Sequence, residues 1–83
     1  MVVNKLGLHL RAAAGFVQLA EKYPCKVGIV KGKHHANGKS ILSVLALGAP
    51  RGETIRLETA GDQADEALEA LAAFVAARFG EPE

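Results

Sequence analysis

The spacing of apolar and polar residues changes period several times along the chain. Thr54-Ile55-Arg56-Leu57-Glu58 alternates strictly, the period-two pattern of a strand with one wet face. Val2 to Asn4 and Val27 to Lys31 are short β-branched segments of the same kind. Lys33 to Ala36 reads as a further strand, joined to the second through Gly32 by a tight connection that makes the two antiparallel neighbours. Between these segments the period lengthens. Ala13, Phe16, Val17 and Ala20 follow the i, i+3, i+4, i+7 rule, with Arg11, Gln18, Glu21 and Lys22 pointing elsewhere. They predict a helix from about His9 to Lys22, with Pro24 just past its end. A second long helix is predicted over roughly Gln63 to Phe79. Asp62, Asp65 and Glu66 fall in its first turn, Ala64, Ala67, Leu68, Leu71 and Val75 form a stripe, Arg78 lies in the last turn and Gly80 follows.

The middle segment is short and almost wholly apolar. Ser40 is a good N-cap, Ile41 to Leu47 contains one polar residue, Ser43, and Gly48 stops the run. A domain this small cannot bury such a helix on every side. At about 100° per residue Val44 and Leu47 share the side that faces the core, and Ile41, Leu42 and Leu45 share the side left partly exposed. The order is strand, helix, strand, strand, short helix, strand, helix, an α+β pattern with the helices on one face of one sheet.

Composition narrows the class. Eighty-three residues make one domain, 1–83, and 49% hydrophobic with 23% charged residues is a globular composition. No run approaches the roughly 20 apolar residues of a membrane span. Ten Lys and Arg against nine Asp and Glu give a net charge of +1, which argues against a binder of nucleic acid held by phosphate contacts. Phe16, Phe74 and Phe79 fall on helices and Tyr23 at a helix end, so no strand offers an aromatic stacking platform. Cys25 is the sole cysteine and forms no internal disulfide; a reducing cytoplasm is the expected compartment. His34 and His35 are adjacent on a strand and point to opposite faces, so they do not chelate together, and no metal or cofactor is expected.

His9 stands where the first strand gives way to the first helix. A histidine there is commonly a cap or a solvated residue, but its neighbours add chemistry. The first backbone N–H groups of a helix, here those of Leu10 and Arg11, have no internal partner and carry the positive end of the macrodipole. The Arg11 side chain adds a fixed cation. Both disfavour an imidazolium and favour a neutral ring, which makes His9 a candidate nucleophile with a ready cradle for a phosphoryl group. A complete catalyst needs more: no carboxylate adjoins His9 in sequence and no glycine-rich phosphate loop is present.

Asn4-Lys5-Leu6-Gly7-Leu8-His9-Leu10-Arg11-Ala12-Ala13 resembles the active-site signature of the HPr family, the histidine phosphocarriers of the bacterial phosphoenolpyruvate-dependent phosphotransferase system. Asn37-Gly38-Lys39-Ser40-Ile41 is similar to the family's second signature, and the likeness extends through Leu47-Gly48, Gly61-Asp62 and Phe79-Gly80-Glu81. The resemblance implies an open-faced β-sandwich, βαββαβα, in which three helices cover one face of a four-stranded antiparallel sheet. It implies that His9 is phosphorylated on Nδ1 by phosphorylated enzyme I, that Arg11 accompanies it, and that Ser40 is the serine modified by HPr kinase/phosphorylase in organisms that have it. Ile41, Leu42 and Leu45 match the apolar contact surface for enzyme I and for permease or regulatory A-domains. Ala12 stands where the commonest pattern has proline; with Asn4-Lys5-Leu6 it resembles the nitrogen-related branch. On this reading the protein is a monomeric cytoplasmic carrier and a substrate of enzymes, not an enzyme. The competing reading is a regulatory interaction module switched by phosphorylation of His9 or Ser40.

Overall fold

The computed structural model describes residues 9–48 and 54–77, which form three helices and one three-stranded sheet. In chain order these are α1 (Leu10–Ala20), β1 (Lys26–Lys31), β2 (His34–Asn37), α2 (Ile41–Leu47), β3 (Arg56–Ala60) and α3 (Ala64–Ala76). The sheet runs β2-β1-β3 and both pairings are antiparallel. The segment read as a first strand, Val2 to Asn4, lies outside the described residues, as do Arg78 to Gly80. The α+β architecture expected from the periodicities stands.

The central strand joins the layers. Val27 and Ile29 turn toward the helices and are buried, with Thr59 and Leu57 opposite them on β3 and Ala36 opposite Ile29 on β2. Phe16, Ile29, Val44 and Leu71 are the largest side chains without solvent contact, one from each helix and one from the central strand. Burying each contributes about 1.5–3 kcal/mol relative to exposure. Ala12, Ala13, Phe16, Val17 and Ala20 form the buried face of α1, and Ala67, Leu71 and Val75 that of α3. Val44 and Leu47 are the buried residues of α2, as the division of that helix predicted.

Several boundaries differ from the expected ones, each for a local reason. α1 begins at Leu10, because His9 has extended backbone angles and caps the helix; it ends at Ala20, with Glu21 as C-cap before Lys22. Lys33 belongs to the turn between β1 and β2, where Gly32 has a φ of +60° and the pairing closes at Lys31 and His34. β3 starts two residues later than expected and runs to Ala60, since that is the residue paired with Lys26 at the start of β1. Gln63 holds the N-cap position of α3, with no side-chain capping bond, rather than opening the helix, and the stripe residue Leu68 remains exposed.

Candidate functional site

Two helix N-termini carry the residues with chemical potential. At α1, His9 is the N-cap, with φ −96° and ψ −179°, and its carbonyl accepts the first intrahelical bond from Ala13 at 2.8 Å. The ring nitrogen Nδ1 accepts a hydrogen bond from the backbone N–H of Arg11 at 3.2 Å. Nδ1 therefore carries a lone pair, not a proton, in this arrangement, and the lone pair points at the positive end of the helix. Ala12 and Ala13 are fully buried immediately downstream, so this first turn is anchored in the core. Leu10, 64% exposed, and Arg11, also exposed, lie on the outer side.

At α2, Ser40 is the N-cap and its Oγ accepts from the backbone N–H of Ser43 at 3.3 Å. The loop before it is tightly specified. The Gly38 N–H donates to the Val27 carbonyl at 2.8 Å, the Lys39 N–H to Asn37 Oδ1 at 3.0 Å, and the Ser40 N–H to the Asn37 carbonyl at 3.0 Å. A β-carbon on Gly38 would stand 2.5 Å from Val27 Cγ1 and 3.2 Å from Phe16 Cε1, so only glycine lets this loop lie on the core. Lys39 Nζ donates to the Tyr23 carbonyl and ties the loop to the end of α1. Sequence reasoning took Asn37 to Lys39 as signature residues only; the turn chemistry of Asn-Gly was the signal for their mechanical role.

The outer side of α2 is apolar. Leu42 is 79% exposed and Ile41 is exposed, while Leu45 is half-buried and touches the edge of the core. The structure thus leaves Ile41 and Leu42 clear of the core and Leu45 astride its margin. α1 and α2 pack against each other, so the two capped ends belong to one helical layer.

The other candidates carry no chemistry of this kind. His34 and His35 are exposed on β2, and Cys25 is a buried free thiol. Among the described residues no group of three potential metal ligands occurs, and no helix is long and apolar enough to cross a membrane.

Comparison with known proteins covers nearly the whole chain. A family model described as the PTS HPr component phosphorylation site matches residues 1–77. A phosphocarrier protein HPr from Pseudomonas aeruginosa is 47% identical over 83 residues, covering 99% of this chain and 92% of that protein. A phosphocarrier protein NPr from Shewanella violacea is 42% identical over 80 residues, covering 96% and 88%. The crystal structure of HPr-C-His from Thermoanaerobacter tengcongensis superposes with a TM-score of 0.93 at 38% identity, covering 99% of this chain and 92% of the other.

Proposed function

The chain belongs to the HPr family of phosphocarrier proteins, carriers rather than enzymes, and on that premise we propose that His9 accepts a phosphoryl group from phosphorylated enzyme I and passes it to a permease or regulatory A-domain. The observation that carries this reading is the Nδ1 lone pair held toward the N-terminus of α1 by the Arg11 N–H. In the forward step that lone pair attacks phosphorus. The Nδ1–P bond forms, the bond from phosphorus to the donor breaks, and its electron pair stays with the donor. The Arg11 N–H, no longer matched by a lone pair on Nδ1, turns to a phosphoryl oxygen, and the Leu10 N–H offers a second donor. The Arg11 guanidinium supplies positive charge to the transferring group. Donation to the acceptor reverses these steps.

Ile41, Leu42 and Leu45 form the apolar contact for enzyme I and the A-domains. Ser40 lies beside them, and a phosphate on it would meet the free N–H groups of α2 while placing about −1.5 to −2 charge next to the docking surface. The fold would persist and the contact with enzyme I would weaken, which makes Ser40 a regulatory position wherever an HPr kinase is present. The carrier acts as a cytoplasmic monomer in this reading. Incubation with phosphoenolpyruvate and purified enzyme I tests it: acid-labile label on the wild type and none on His9→Ala is the expected result, and undiminished acid-labile label on His9→Ala overturns it.

A further inference from the structure

Behind α2, away from both capped ends, lies a cleft that this function leaves unused. Lys31, His34, His35, Ser43, Ala46 and Leu47 line a space of about 400 Å³ between the turn of the β1–β2 hairpin and one flank of α2. That volume falls within the range of small-molecule sites. We propose that this cleft binds a small phosphate monoester at a second site, separate from His9.

Among the described residues the lining offers the Lys31 ammonium, the His34 imidazole and the Ser43 hydroxyl, and no Asp or Glu. Lys31 is held in place, because its Nζ donates to the Gly48 carbonyl at 3.3 Å. An ammonium has three donors and this bond uses one, so two remain for an anion. Among the described residues no side-chain hydrogen bond ties down His34, which shares the helix-side face of β2 with the buried Ala36, so its imidazole can turn toward a ligand, whereas His35 points to the opposite face. Ala46 and Leu47 add apolar surface to the lining, which favours the short carbon skeleton of an ester over bare phosphate. A dianionic phosphate head, with its terminal oxygens, is the group that can accept from an ammonium, a hydroxyl and an imidazole at once.

The position on α2 gives the site a use. Ser43, Ala46 and Leu47 follow the i, i+3, i+4 spacing and form one flank, whereas Ile41, Leu42 and Leu45 form another. A ligand can occupy the first without covering the second. Binding therefore does not depend on the docking role assigned to the outer side, and the two stand or fall separately.

The test is an amide NMR titration of the full chain with glycerol 3-phosphate, compared with glycerol and with sodium chloride at matched ionic strength. Saturable shifts centred on residues 31, 34, 35, 43 and 46 are expected with the ester alone. Lys31→Met should weaken binding about tenfold, the loss of a charge-assisted contact. Because that variant also removes the bond to Gly48, His34→Asn provides a second reading, and a comparable loss is expected there. Shifts that follow ionic strength, shifts centred on Leu10 and Arg11, or full affinity in His34→Asn would overturn the proposal.

Discussion

The N-termini of α1 and α2 are built alike and placed in different company. Each is closed by a side chain that accepts a backbone N–H, His9 Nδ1 from Arg11 at 3.2 Å and Ser40 Oγ from Ser43 at 3.3 Å. At α1 the capping atom is itself a nucleophile when neutral, its neighbour Arg11 is cationic and exposed, and the residues behind it are buried alanines. At α2 the capping atom is a hydroxyl of low nucleophilicity, its neighbours Ile41 and Leu42 are apolar and exposed, and the nearby cation, Lys39, is engaged on the Tyr23 carbonyl. On the proposed function, the same local geometry presents a phosphoryl acceptor at one end and a partner surface with a chargeable residue at the other. Capping creates the anion-friendly position; the flanking side chains decide its use.

Substitutions at the two ends should separate these roles. The largest effect belongs to His9→Ala, which removes the acceptor atom and abolishes labelling by enzyme I. The lost cap costs about 0.5–2 kcal/mol, so thermal unfolding should still show a cooperative, folded protein. A variant that fails to fold would mean that His9 is structural first. Next is Gly38→Ala, which drives a methyl into Val27 and Phe16 and should destabilise the domain by about 1–3 kcal/mol in denaturant unfolding. Below the transition, labelling of His9 should continue, because the strain falls on the loop leading to α2. Loss of both together would tie the two ends more closely than the comparison allows.

The third effect is at the apolar face. Leu42→Glu should weaken enzyme I binding about tenfold, equivalent to about 1.4 kcal/mol, with little change in melting temperature. Leu42 is 79% exposed and contributes little to the core, so a large loss of stability would contradict its assignment to the outer side. The smallest expected effect on stability is that of Ser40→Asp. Aspartate caps a helix about as well as serine, so unfolding should shift by no more than about 0.5 kcal/mol. Its charge should nonetheless slow phosphorylation of His9 by enzyme I. Unchanged affinity for enzyme I would leave Ser40 with its capping role alone.

Much of this arrangement is legible in the residues themselves. Phe16 and Val17 on α1, and Val44 and Leu47 on α2, face the core because helical spacing leaves them no other face. The partial exposure of Ile41 and Leu42 follows from the size of a domain that cannot enclose a third apolar helix. The place of His9 beside the unpaired N–H groups of a helix start, with Arg11 next to it, also follows from the sequence, although the helix begins one residue later than its periodicity suggests. Features set by partners distant in sequence were harder to see. The extent of β3 depends on its register with β1, which alternation at Thr54 to Glu58 cannot specify, since the pattern is equally satisfied two residues further on. The hold of Lys39 on the Tyr23 carbonyl links residues 16 apart and leaves no periodic trace. The cleft at Lys31 joins a hairpin to a helix flank, and His34 looks like an ordinary edge residue until the two are packed together.

The central claim concerns one atom, and nitrogen and phosphorus NMR of the phosphorylated full chain addresses it directly. After treatment with enzyme I and phosphoenolpyruvate, the account predicts a single acid-labile phosphoryl group bonded to His9 Nδ1, with the Arg11 amide shifted as its hydrogen bond passes from the ring nitrogen to a phosphoryl oxygen. A phosphoryl group on Nε2, on another residue, or on Nδ1 with the Arg11 amide unmoved would contradict it.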